Sequence, residues 1–152
     1  MRQYANGSAD GADKFTATFT GNSNLGTSTY VINTTNMATL TQEGDGTSGF
    51  DVATGRFTPK KAGWYCIGAY LTASSLDGAT DRLQSVIRKN GLGVLILEGD
   101  YPENTFSRCS GQCHVYLDGD TDYVDINVTS VLNDAAWILK GSADSMIYGF
   151  RV

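Results

Sequence analysis

The chain has 152 residues, the length of one domain and enough to bury a real core. Eighteen glycines against two prolines, with only 18% charged residues, describe short strands joined by tight turns and argue against a helical protein. The net charge is -5, Lys60-Lys61 and Arg88-Lys89 are the only adjacent basic pairs, and no run approaches the ~18 apolar residues of a membrane span. Neither nucleic acid nor membrane is therefore expected as a partner.

In chain order, MRQYANGSADGADK is polar and glycine-rich, with no apolar core for a signal peptide. Residues 1–13 read as a flexible arm, and residues 14–152 as a single domain without an internal repeat. From Lys14 the pattern has period two: Phe15, Ala17 and Phe19 alternate with Thr16, Thr18 and Thr20. Short strands are expected at Tyr30–Ile32 and Met37–Leu40, then a loop from Glu43 to Gly49. In FDVATGRFTPKKAGWY, Phe50 to Tyr65, the glycines and the proline exclude a helix, so this reads as strand, turn at Ala53-Thr54-Gly55, strand.

WYCIGAYLTAS follows as a long strand, with Tyr65, Ile67, Ala69 and Leu71 on one face and Trp64, Cys66, Gly68 and Tyr70 on the other. After a loop at Leu76–Asp81, strands Leu83–Arg88 and Val94–Leu97 flank an Asn90-Gly91 hairpin. Arg108–Leu117 and Tyr123–Thr129 are joined by a turn at Asp118-Gly119-Asp120, Ala136–Leu139 fits strand or helical turn, and Ser145–Val152 closes the chain as a strand. About ten strands and no convincing helix predict an all-β sandwich.

Four motifs, in order, resemble the globular head of the complement C1q family. FDVATGRFTPKKAGWY is similar to its F-D-x-x-T-G-x-F-T-x-P-x-x-G-x-Y signature, with the proline one position early. RKNGLGVLI resembles its Lys-Asn-Gly hairpin, VYLDGDTDYVDINV its Leu-x-x-Gly-Asp-x-Val stretch, and SMIYGFRV its terminal segment, with Gly149 and Phe150 in register. The resemblance implies a ten-stranded jelly-roll β-sandwich of the tumour-necrosis-factor superfamily, assembled as a compact homotrimer. The second face of the long strand agrees. Trp64, Cys66 and Tyr70 are the trimer-interface candidates, since an apolar outer face calls for a partner.

Residues 1–13 hold neither an apolar signal-like run nor a Gly-x-y repeat, and three cysteines are an odd count suited to a reducing cytoplasm. The expected setting is therefore the surface of a bacteriophage virion, as capsid decoration or a fibre or spike tip made in the host cytoplasm. Its partners would be itself and the major capsid protein or another virion protein. Arg2, Gln3 and Tyr4 in the arm are the attachment candidates. The alternative is a secreted or lectin-like recognition module for glycans or a cell-surface receptor. Tyr101, Asn104, Asn133 and Trp137 would be its ligand-binding residues, set against Trp137 simply closing one end of the sandwich.

Catalysis is not expected: His114 is the only histidine, and no Ser or Cys has a motif partner. Cys109 and Cys113 share a strand face roughly 13 Å apart, too far for one zinc ion or a disulfide within the chain, while His114 points away. Asp118, Asp120 and Asp122 imitate the start of a calcium loop, yet Tyr123 stands where its glycine belongs and Thr129 where its closing acid belongs. Turn chemistry explains those acids, with calcium as the one alternative cofactor.

Overall fold

The computed structural model describes residues 14–25, 29–35, 40–43, 49–75, 83–99, 106–130, 137–140 and 142–152. Its strands are β1 (Lys14–Phe19), β2 (Ser23–Leu25), β3 (Tyr30–Val31), β4 (Leu40–Glu43), β5 (Phe50–Asp51), β6 (Arg56–Phe57), β7 (Gly63–Ser75), β8 (Leu83–Lys89), β9 (Leu92–Gly99), β10 (Ser107–Leu117), β11 (Val124–Ser130), β12 (Trp137–Leu139) and β13 (Ser142–Arg151). No helix occurs among the described residues. The expected all-β jelly-roll sandwich is the fold observed. The strands beyond ten are short pieces such as β2, β5 and β6, too brief to alternate visibly.

One sheet has seven strands, with β7 at its centre. The path runs β2-β12-β7-β13-β1-β4, and β10 pairs the other flank of β7 over the whole length from Gly63 to Ala73. The second sheet runs β5-β6-β11-β8-β9, with β3 added to β11, so β9 lies at its edge. The segment left open between strand and helix is strand β12, fixed by ladders to Ser75 and Leu25. Of the strand expected at Met37–Leu40 and the loop expected from Glu43 to Gly49, residues 37–39 and 44–48 lie outside the described residues, and Leu40–Glu43 is the strand there.

Alternation drives the packing. Phe15, Ala17, Phe19, Ile67, Leu71 and Ile147 of one sheet meet Leu83, Ile87, Val124, Ile126 and Val128 of the other in one buried core. At one end Phe15 stacks on Phe50 at 4.5 Å, and Phe57 packs edge-on to Tyr65 at 5.5 Å. The Tyr65 hydroxyl donates to the Lys61 carbonyl at 2.8 Å, which satisfies its polar end.

The FDVATG turn is built from its own side chains. The Asp51 carboxylate accepts the Ala53 N–H at 2.9 Å and the Thr54 hydroxyl at 2.8 Å, and the Thr54 hydroxyl is the main reason its acidity is raised above that of an ordinary Asp. Gly55 adopts φ +72, and a Cβ there would collide with the Ile32 carbonyl. At the β8–β9 hairpin, Asn90 and Gly91 both have positive φ, as the Asn-Gly pair predicted.

Candidate functional site

The outward face of the seven-stranded sheet is read from its ladders, because residues opposed in register share a face. Tyr116 stands opposite Trp64; His114, Cys66, Phe150 and Lys14 form the next row; Gln112, Gly68, Tyr148 and Thr16 the third; Ser110, Tyr70, Met146 and Thr18 the fourth. Five aromatic side chains thus stand on a face that alternation turns away from the core. Trp64 is 55% exposed and meets Tyr116 edge-on at 5.8 Å; Tyr148 and Phe150 stack at 6.4 Å. Beside them, Lys14, Thr16, Met146, Tyr148 and Phe150 line an open hollow of about 390 Å³.

Gly68 permits this arrangement. A Cβ at Gly68 would strike the Tyr148 ring, and the Tyr148 hydroxyl reaches across β7 to donate to Gln112 Oε1 at 2.9 Å. Burial first, and then the neighbouring Cys66, pushes the Tyr148 hydroxyl above its ordinary pKa.

Of the interface candidates, Trp64 is exposed and Tyr70 half-buried on this face. Cys66 differs: between its register partners Phe150 and His114 it is 1% exposed in the single chain, so it has almost no surface to offer a partner. Alternation assigns a residue to a face but does not reveal what flanks it there. Tyr116, Tyr148 and Phe150 were not singled out. Their signal was the same period two, on strands whose register to β7 a sequence does not display.

Cys109 is in the core, Cys113 packs against it and His114 is exposed, so the cluster divides between faces as its spacing requires. Burial pushes the Cys109 thiol up to about 12 and raises Cys66 and Cys113. Burial thus favours the neutral thiol, the weaker nucleophile, at all three positions.

The acidic turn is held by its own hydrogen bonds. Asp118 Oδ1 accepts the N–H groups of Asp120, Thr121 and Asp122 at 3.0, 3.0 and 2.8 Å, and Oδ2 accepts the Thr121 hydroxyl at 2.7 Å. Asp122 accepts from Lys89 Nζ at 2.7 Å and Asn90 Nδ2 at 2.7 Å. Asp120 contributes its N–H, not its carboxylate. The oxygens of Asp118 and Asp122 accept from N–H and O–H donors of the turn and of the β8–β9 hairpin. Among the described residues no three His, Cys, Asp or Glu side chains form a ligand set.

A second apolar surface lies on edge strand β9. Leu92 is 75% exposed and Ile96 59%, with Val94 exposed between them, and all three alternate with the inward Leu95 and Leu97. Of the proposed ligand residues, Trp137 is placed by its backbone ladder in β12, while Tyr101, Asn104 and Asn133 lie outside the described residues, as do Arg2, Gln3 and Tyr4.

Solved structures with the same fold include the globular domain of a zebrafish complement 1qA protein, at 18% identity and TM-score 0.64, matched over 92% of this chain and 97% of that one. Murine APRIL at pH 5.0 aligns at TM-score 0.66 with 9% identity, over 92% and 98% of the two chains. The Eiger TNF of S. frugiperda aligns at TM-score 0.56 with 11% identity, over 92% and 93%. The fold is therefore C1q/TNF-like, as the four motifs implied. No family model matches the sequence, and no curated protein matches it in sequence.

Proposed function

We propose that this chain is a non-enzymatic interaction module that closes into a homotrimer through the outer face of its seven-stranded sheet. The observation that carries this reading is the exposed aromatic group of Trp64, Tyr116 and Phe150 on a sheet face that would be polar if it met only water. A single chain also offers a second, different apolar surface at Leu92, Val94 and Ile96. Two unlike surfaces on one chain suit a head-to-tail contact, which closes into a ring when the rotation between neighbours divides a full turn. The C1q-like motifs imply the same symmetry.

Trp64→Arg tests the face directly, because the side chain is exposed and the core is untouched. The variant is expected to keep its far-ultraviolet circular dichroism spectrum and to sediment as a single chain at micromolar concentration. A variant that keeps the wild-type mass would overturn the assignment of this face.

For its setting we propose the surface of a phage particle, as capsid decoration or a fibre or spike tip, held through the arm at Arg2, Gln3 and Tyr4. The composition supports this, and so do three cysteines without a disulfide, which suit assembly in a reducing cytoplasm. Gold-labelled antibody on particles from the source decides it: label on capsids or tail tips supports the setting. Label absent from every particle favours a free-standing recognition module for glycans or a cell-surface receptor.

A further inference from the structure

Thr72, at the far end of β7, is 2% exposed, and its hydroxyl has no hydrogen-bond partner among the described residues. Its backbone is engaged: the Thr72 N–H donates to Ser145 Oγ at 3.0 Å, and its carbonyl accepts the Lys140 N–H at 2.8 Å. A buried hydroxyl left unpaired is unfavourable, so the groups around it bear on what it serves.

Arg108 stands opposite Thr72 in the β10 ladder, and Lys140 lies on the other flank of β7 through its N–H bond. Their chain neighbours Cys109 and Leu139 are in the core, so alternation turns Arg108 and Lys140 to the outer face with Thr72. Lys140 Nζ lies 5.5 Å from the ring centroid of Phe106, which precedes β10, so the lysine chain spans β7 in this region. Neither cation has an ion-pair partner among the described residues, and Asp144 in β13 is exposed and likewise in no ion pair there. A guanidinium fork, an ammonium and a free hydroxyl donor in one row are the donor set of an oxyanion site.

We propose that Thr72, Arg108 and Lys140 bind an oxyanion, of the sulfate or carboxylate class. The site is eight residues along β7 from Trp64, about 26 Å at the strand rise, and does not rest on the assembly proposed above. The hydroxyl donates to the anion once the Lys140 side chain swings from Phe106 to the same ligand.

The test is a titration of the full chain with sodium sulfate, against sodium chloride at equal ionic strength, followed by the amide resonances of Thr72, Arg108 and Lys140. Saturable shifts are expected in sulfate alone. Thr72→Val, Lys140→Ala and Arg108→Ala should each weaken binding about tenfold or more. Thr72→Val should also keep or raise the melting temperature, since it removes an unpaired hydroxyl. A sulfated disaccharide that binds at the same amides more tightly than sulfate assigns the anion to a sugar, and sulfate binding without it assigns a free ion. Absence of saturable shifts at these amides overturns the proposal, as does sulfate binding that Thr72→Val leaves unchanged. Should the buried substitution fail to fold, unchanged binding in both surface variants overturns it equally.

Discussion

Gly55 carries a backbone constraint that its neighbours cannot share. Its φ of +72 and the Ile32 carbonyl beside its α-carbon leave no place for a side chain. Gly55→Ala is expected to lower unfolding free energy by about 2 kcal/mol or more, from the left-handed conformation together with the collision, as read by urea denaturation. Asp118 makes a different kind of claim. Backbone N–H groups, that of Asp120 first, hold its carboxyl well below the usual range, and the Lys89 side chain leads in doing the same for Asp122. A depressed carboxylate stabilises the fold above the ordinary Asp pKa and loses that contribution as pH falls towards its folded value. Asp118→Ala should therefore melt below wild type at pH 7, with the difference shrinking as pH drops below about 4. A constant difference from pH 7 to pH 2 would contradict the assigned hydrogen bonds. The sequence displayed these acids but not their donors, which is why a turn and a calcium loop read alike.

Across β8 and β11, Arg88 and Asp125 face one another in register and form a two-pronged pair at 2.6 and 2.8 Å, with Asp125 buried. Arg88→Ala leaves that carboxylate without its partner and is expected to cost ~3 kcal/mol in denaturant unfolding, whereas Arg88→Met with Asp125→Leu should recover most of the loss. A double variant no better than the single would mean that the pair is not what stabilises the ladder. Long elements were legible because β1, β7, β8 and β10 alternate over six residues or more, and the Asn90-Gly91 turn fixes the β8–β9 hairpin. Strands β2, β5 and β6 hold two or three residues and exist through their ladder partners, information that no local pattern contains. The same limit hid most of the aromatic face: Trp64 and Tyr70 alternate visibly along β7, while Tyr116, Tyr148 and Phe150 join them only through register.

The whole molecule is a sandwich whose inward faces are closed and whose outward faces are unequal. Its seven-stranded sheet presents Trp64, Tyr116 and Phe150, and its edge strand β9 presents Leu92, Val94 and Ile96. Exposed apolar surfaces of two kinds make the proposed self-association the account's central claim. Sedimentation equilibrium of the wild-type chain over a range of micromolar concentrations tests it most directly. The expected mass is about 49 kDa, three times the 16.3 kDa of one chain, independent of concentration. A species of 16.3 kDa throughout that range would contradict the account.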